Sequence, residues 1–197
     1  MTPPPFVWPY ALVFWAVYVW AMVPEAGIIR RARKASKEDG SKDRGSVKVM
    51  TAAMSTALAL AFPLAFVDPW MFSASRHPEF FVVGMLLVVL GSLLRRYCWR
   101  TLGEYFTGDV QARAGQPVIR TGPYRLVRHP SYTGGLMMNA GVGLALCSSL
   151  SLTLLTMTAL ATYIYRVRIE EHALVDTLGE PYRIYMRERR RFIPYVV

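Results

Sequence analysis

The chain has 197 residues, of which 53% are apolar and 18% charged, with a formal net charge of +10. Its mean hydropathy is +0.26. This length suits one compact unit, and the composition excludes a disordered chain and falls short of the roughly 25% charge of a soluble domain.

The charge is missing in blocks. Residues 1–24, 49–67, 80–94 and 130–165 contain no Asp, Glu, Lys or Arg. Uncharged apolar runs of this length predict an all-α integral membrane protein with several crossings. The first is Phe6–Val23, where Trp8, Tyr10 and Trp20 suit the interfaces. No positive residue precedes it and no small-residue cleavage site follows, so it reads as a retained helix rather than a leader. Arg30–Lys48 then reads as a mobile basic loop with Gly40, Ser41, Gly45 and Ser46. The second crossing is Val49–Val67, and Asp68–Glu79 is a short outer loop in which His77-Pro78 marks a turn. The third is Phe80–Leu94, which Arg95 and Arg96 lengthen by snorkelling.

Pro130–Tyr165 is too long for one crossing: a helix of that length is about 54 Å, against a hydrocarbon core of about 30 Å. It is too short for two full crossings and a loop, but it fits a tight helical hairpin with its turn near Ser148-Ser149-Leu150-Ser151. Gly134, Gly135, Gly141 and Gly143 on the first arm permit close helix approach. The expectation is five transmembrane helices in one membrane-embedded domain, 1–197. Residues 1–94 supply three N-terminal helices, and 95–197 a site-bearing region with the hairpin and a final interfacial helix. That last helix starts at Gly179-Glu180-Pro181 and carries Tyr182, Tyr185 and Met186 on one face.

The basic residues are grouped as well. Of the 23 Lys and Arg, 22 lie in Arg30–Lys48, Arg95–Arg128 and Arg166–Arg191. These crossings put all three segments on one side, and the positive-inside rule makes that side cytoplasmic, with the N-terminus outside. Topology and anionic lipid explain the charge, and no nucleic-acid partner is implied. Cys98 and Cys147 make neither a disulfide framework nor a metal-ligand spacing, and three histidines without repeated spacing make no metal site. There is no phosphate loop, serine elbow or dinucleotide fingerprint.

The hairpin brings its two ends to the same face. Gly122-Pro123-Tyr124-Arg125-Leu126-Val127-Arg128-His129-Pro130-Ser131-Tyr132 leads in, and Tyr165-Arg166-Val167-Arg168-Ile169-Glu170-Glu171-His172 leads out. Arg128 and His129 are thereby expected near Arg166, Glu170 and Glu171, a cluster of ionisable residues at a membrane interface. Pro130 suits a first helical turn. The free N–H groups there, with Arg128, would hold an anion, and the glutamates would take a cationic or hydroxyl-bearing group. The plainer alternatives are that Arg128 holds a headgroup phosphate and that Arg166 and Glu170 form an ordinary i,i+4 pair.

At these residues the sequence resembles the isoprenylcysteine carboxyl methyltransferase family and the related membrane phospholipid methyltransferases. The pattern is Gly122-Pro123-Tyr124, then Arg128-His129-Pro130-x-Tyr132-x-Gly134, an apolar stretch, and Glu170-Glu171. Leu102-Gly103, Arg166, Gly179-x-x-Tyr182-x-x-Tyr185, Arg191 and Pro194 add to it. The resemblance covers about residues 95–197.

It implies an S-adenosylmethionine-dependent methyltransferase acting on a lipophilic or lipid-modified acceptor, with its site toward the cytoplasm. The membrane would be the inner or plasma membrane in a bacterium and the endoplasmic reticulum in a eukaryote. Carried over, Arg128, His129, Tyr132, Tyr124, Gln116, Val118, Glu170 and Glu171 would bind the cofactor. Arg166, Glu170 and His129 would serve the chemistry: Arg166 beside the reacting centre, and His129 or Glu170 as proton acceptor for any acceptor that needs one. Gln116 stands where many members have histidine, and His172 where some have a third glutamate. Phospholipid N-methylation is the alternative within the resemblance. A nicotinamide-dependent membrane reductase and a non-catalytic membrane subunit are the alternatives outside it.

Overall fold

The computed structural model describes residues 2–38, 45–68, 72, 76–106 and 116–192, with side chains left out at 31–38 and 104. Among these residues six α-helices follow in order: α1 Tyr10–Glu38, α2 Ser46–Val67, α3 His77–Leu102, α4 Pro130–Ala145, α5 Ser149–Leu178 and α6 Glu180–Glu188. Among the described residues there is no strand, only an isolated bridge between Val127 and Arg190. Among the described residues four helices are long and apolar enough to cross a membrane: Tyr10–Arg30 within α1, then α2, α3 and α5. The 16 residues of α4 make about 24 Å and fall short of that length. Among the described residues the fold is therefore all-α, with four helices of membrane-spanning length.

Three features differ from the sequence reading. The helix of α1 continues through Glu38, so the first part of the expected Arg30–Lys48 loop is helical; residues 39–44 lie outside the described ones. Ala, Arg, Lys and Glu dominate this stretch, and such residues carry a helix on beyond the bilayer at little cost. His77-Pro78 is no turn either, since it opens α3, with proline in the first turn where its missing N–H is harmless. At the other end, α3 runs on past Leu94 through Leu102.

The third difference concerns Asp68, expected in an outer loop. It is buried at the end of α2 and accepts from Ser148 Oγ at 2.6 Å, Ser149 Oγ at 3.2 Å and the Leu150 amide at 3.0 Å. Ser148 caps α5 in turn, accepting from the Ser151 amide at 3.1 Å. A serine-rich turn exposes free amides and hydroxyls, and a neighbouring carboxylate satisfies them in one place.

The hairpin turns at Leu146–Ser148, slightly ahead of the expected Ser148–Ser151, which opens α5 instead, and Cys98 and Cys147 are free and buried. Glycines set the packing of its first arm. A Cβ on Gly84 of α3 would lie 2.6 Å from the Gly141 carbonyl oxygen, and one on Gly91 would lie 2.5 Å from that of Gly134. The α3 and α4 backbones touch at two points seven residues apart on each helix, and only glycine permits this. On the other side α2 presents Ala57, Ala61 and Ala65 at i, i+4 and i+8, and Ser151 of α5 donates to the Ala61 carbonyl at 2.7 Å. The apolar core between these layers includes Phe14, Phe81, Val88, Met138, Val142 and Leu155.

Candidate functional site

The site forms where α4 begins and α5 passes beside it. Gly122, at φ +55°, starts a tight turn that buries Pro123 and Tyr124. Pro130 then opens α4, which places Arg128 and His129 just outside the helix and Tyr132 within its first turn. Because α5 continues straight to Leu178, Arg166, Glu170 and Glu171 project from one rigid helix opposite them.

Two charge networks result. In the first, Tyr132 Oη donates to Glu170 Oε2 at 2.8 Å and accepts from Arg166 Nε at 2.8 Å. The phenol thus bridges an arginine and a glutamate that share an i,i+4 face. Arg166 is only 4% exposed, and its Nη1 donates to Ser46 Oγ of α2 at 3.0 Å. In the second, Glu171 receives Arg128 through Nε at 2.9 Å and Nη2 at 2.8 Å, and Arg191 through Nη2 at 2.8 Å. His129 Nε2 lies 3.2 Å from the same carboxylate. Arg128 Nη1 donates to the carbonyls of Met186 and Arg189, at 2.5 and 2.6 Å. Backbone bonds from Arg128 N to Arg190 O and from His129 N to Arg191 O complete a strap over the start of α4. The anion held by the Arg128 fork is the chain's own Glu171.

A cavity of about 360 Å³ opens beside the first network. Gln116, Val118, Tyr124, Arg128, His129, Tyr132, Arg166 and Glu170 line it, whereas Glu171 is not among its lining residues. Eight of the expected site residues therefore meet around one space, and Glu171 stands behind the wall, fixing two of them. Glu170 uses Oε2 for Tyr132, and its Oε1 accepts no hydrogen bond among the described residues. Tyr182 and Tyr185 of α6 roof the cavity, and Tyr185 Oη donates to the Tyr124 carbonyl at 2.6 Å. Burial pushes the Tyr185 phenol up to about 12 and raises those of Tyr182 and Tyr124 as well, so all three are neutral donors. Much of the remaining lining is apolar, including Met22 and Ile29 of α1, Met50, Met54 and Leu58 of α2, and Met138 of α4.

Sequence reasoning missed Glu25 and Arg95, which line the same cavity and pair with each other. Arg95 does not snorkel. It folds inward, and its Nη1 also donates to the Ser131 carbonyl at 2.9 Å. Arg96 turns the other way, its guanidinium lying over the Trp20 ring at 4.2 Å. The available signal was Glu25 itself, the only acidic residue before Glu38, directly after an uncharged run.

The sequence model of the isoprenylcysteine carboxyl methyltransferase family matches residues 82–176, from within α3 through most of α5. Protein-S-isoprenylcysteine O-methyltransferase B of Arabidopsis thaliana is 29% identical over 115 residues, 57% of this chain and 58% of that protein. Protein-S-isoprenylcysteine O-methyltransferase of Saccharomyces cerevisiae is 31% identical over 117 residues, 58% of this chain and 49% of its own length. A solved structure of the eukaryotic intramembrane Ras methyltransferase, isoprenylcysteine carboxyl methyltransferase, aligns with a TM-score of 0.62 at 25% identity. The alignment covers 74% of this chain and 52% of that one. The chain thus spans about half the length of these relatives. The resemblance read from the motifs is borne out, and the matched stretch begins and ends earlier than residues 95–197. It contains both charged networks apart from Ser46 and the C-terminal strap, and it leaves out α1, α2 and α6.

Proposed function

We propose that this chain is an integral membrane S-adenosylmethionine-dependent methyltransferase of the isoprenylcysteine carboxyl methyltransferase kind, acting on a lipophilic acceptor that carries a carboxylate. The observation that supports this most is the Tyr132 bridge. It sets Arg166 and Glu170 side by side at the junction of a polar end and an apolar chamber within the membrane region. A polar cofactor and a lipid-modified acceptor need such a junction, because each must reach the reacting centre from a different medium.

The residues fit the cofactor. Glu170 Oε1 is an open acceptor for an ammonium or a ribose hydroxyl, and Gln116, Val118 and Tyr124 line the same end. When bound, S-adenosylmethionine supplies the methyl group. His129, Tyr132 and Glu170 hold and orient ligands there, while Arg128 and Glu171 keep the wall in place. Arg166 steadies the acceptor carboxylate, and Tyr182 and Tyr185 exclude water. A carboxylate acceptor needs no base, so none of these side chains has to move a proton. In this reading α4 is a short fifth crossing paired with α5, the site and C-terminus face the cytoplasm, and the apolar chamber receives the lipid.

The test is methyl transfer by the purified chain from labelled S-adenosylmethionine to a panel of prenylated cysteines, amphipathic carboxylates and amine-headgroup lipids. Transfer to the prenylated cysteines is expected. Transfer only to amine headgroups would move the reading to phospholipid N-methylation. Absence of all transfer, with no binding of S-adenosylhomocysteine, would overturn it.

A further inference from the structure

The cavity accounts for the inner side of α6 and leaves its outer side unexplained. Tyr182 and Tyr185 are buried, whereas Arg183, Ile184 and Arg187 are exposed, Ile184 by 41%. The turn to which Tyr185 is bonded exposes Arg125 and Leu126, the latter by 60%, and Arg190, bridged to Val127, is exposed beside it. Segments 120–128 and 180–191 together hold eight arginines and two glutamates. Both glutamates are engaged: Glu188 pairs with Arg120 at 3.0 Å, and Glu180 lies 3.8 Å from Arg187. Arg125, Arg183 and Arg190 have no acidic partner among the described residues.

We infer that the outer face of α6, with the Arg125–Leu126 turn, docks on anionic headgroups of the bilayer that the chain spans. Three observations select this partner. Gly179 alone separates α6 from the spanning helix α5, so α6 lies on the side of the bilayer where α5 emerges. The face is cationic, and it also offers a leucine and an isoleucine, which sink into the acyl boundary while the arginines meet phosphate. A nucleic acid or a soluble acidic partner would leave those two side chains unused. Because α6 carries Tyr182 and Tyr185 over the cavity, headgroup docking also holds the roof of the site in place.

The experiment needs neither cofactor nor acceptor, so it stands apart from the methyltransferase reading. Ile184→Cys in the full chain takes a spin label, Cys98 and Cys147 being buried. Its accessibility to oxygen, relative to a water-soluble nickel complex, reports immersion. In vesicles containing phosphatidylglycerol the ratio should rise roughly 3- to 10-fold over phosphatidylcholine alone and fall back at high salt. The rise should be lost when Arg125, Arg183 and Arg190 are all replaced by Gln. An equal ratio in both lipids would overturn the inference. So would a rise that survives high salt, a rise undiminished in the triple variant, or one produced equally by inorganic phosphate.

Discussion

Arg95 on α3 grips Glu25 on α1 along one edge of its guanidinium, with Nε on one carboxylate oxygen and Nη2 on the other, the latter at 2.6 Å. The pair is about one-seventh exposed and lines the cavity. Removing one partner leaves a charge stranded in an apolar surround, which costs about 3–5 kcal/mol, whereas replacing both by apolar residues is often nearly neutral. Glu25→Gln is therefore expected to lower the thermal midpoint markedly in detergent. The double variant Glu25→Leu with Arg95→Met should lose much less than the two single changes together. Circular dichroism melts of the four proteins check this.

The two charge networks should separate in a binding assay. Arg128 is bonded to Glu171 and to the Met186 and Arg189 carbonyls, so Arg128→Ala loosens the C-terminal strap. It should lower thermal stability and S-adenosylhomocysteine affinity together. Glu170 faces the cavity, so Glu170→Gln should weaken binding roughly 10- to 150-fold, the worth of one charged hydrogen bond, with little change in melting. Calorimetric titration beside thermal melts distinguishes the two patterns.

Arg166 supplies a third comparison. Tyr132→Phe removes the phenol oxygen from both Arg166 and Glu170. It should impair turnover and cofactor binding alike. Arg166→Ala should reduce turnover at least 10-fold, the order of one charged contact, and spare most of the cofactor affinity. Normal turnover of every active acceptor in Arg166→Ala would remove that side chain from the site.

Much of this arrangement was legible in the sequence because it follows from a length and a spacing. The hairpin had to double back between Pro130 and Tyr165, and that folds Arg128 toward Glu171 whatever the side chains do next. The helix stop at Gly179 and the restart at Pro181 were equally local. What the sequence did not show is which member of a charged cluster faces inward. Glu170 and Glu171 are neighbours in sequence, yet a helix turns by about 100° per residue, so one meets the cavity and the other the strap. Arg95 and Arg96 diverge for the same reason: one meets Glu25, the other Trp20. Asp68 was hidden because its partners lie 80 or more positions away.

Topology is open to labelling. Arg76→Cys lies just before α3 and Glu180→Cys at the start of α6, at opposite ends of the helical layers, and both native cysteines are buried. In intact cells an impermeant maleimide should modify the residue at 76 and spare that at 180. Equal labelling at both positions would remove the proposed orientation.

Tyr185 gives a pH signature. Burial raises its phenol to about 12, above the ordinary 10, so the folded chain holds this proton more firmly than the unfolded one. The associated stability is complete below pH 10 and declines as pH rises from 10 toward 12; two pK units bound it at about 2–3 kcal/mol. Tyr185→Phe should be less stable than the parent at pH 8, through loss of the bond to the Tyr124 carbonyl. Its melting temperature should fall less steeply above pH 10. Melts across that range give both slopes.

The glycine contacts between α3 and α4 decide how this molecule can breathe. With Gly84 seated on Gly141 and Gly91 on Gly134, sliding either helix by one residue brings a side chain against a main chain at both crossings at once. The two helices are latched and travel as one plate, carrying Arg95 and Tyr132 together. A bulky molecule arriving from the bilayer therefore finds no seam on that side. In the proposed reading a lipid enters where α1 and α2 face the chamber with methionine, isoleucine and leucine, whose flexible chains can yield and reseal behind it.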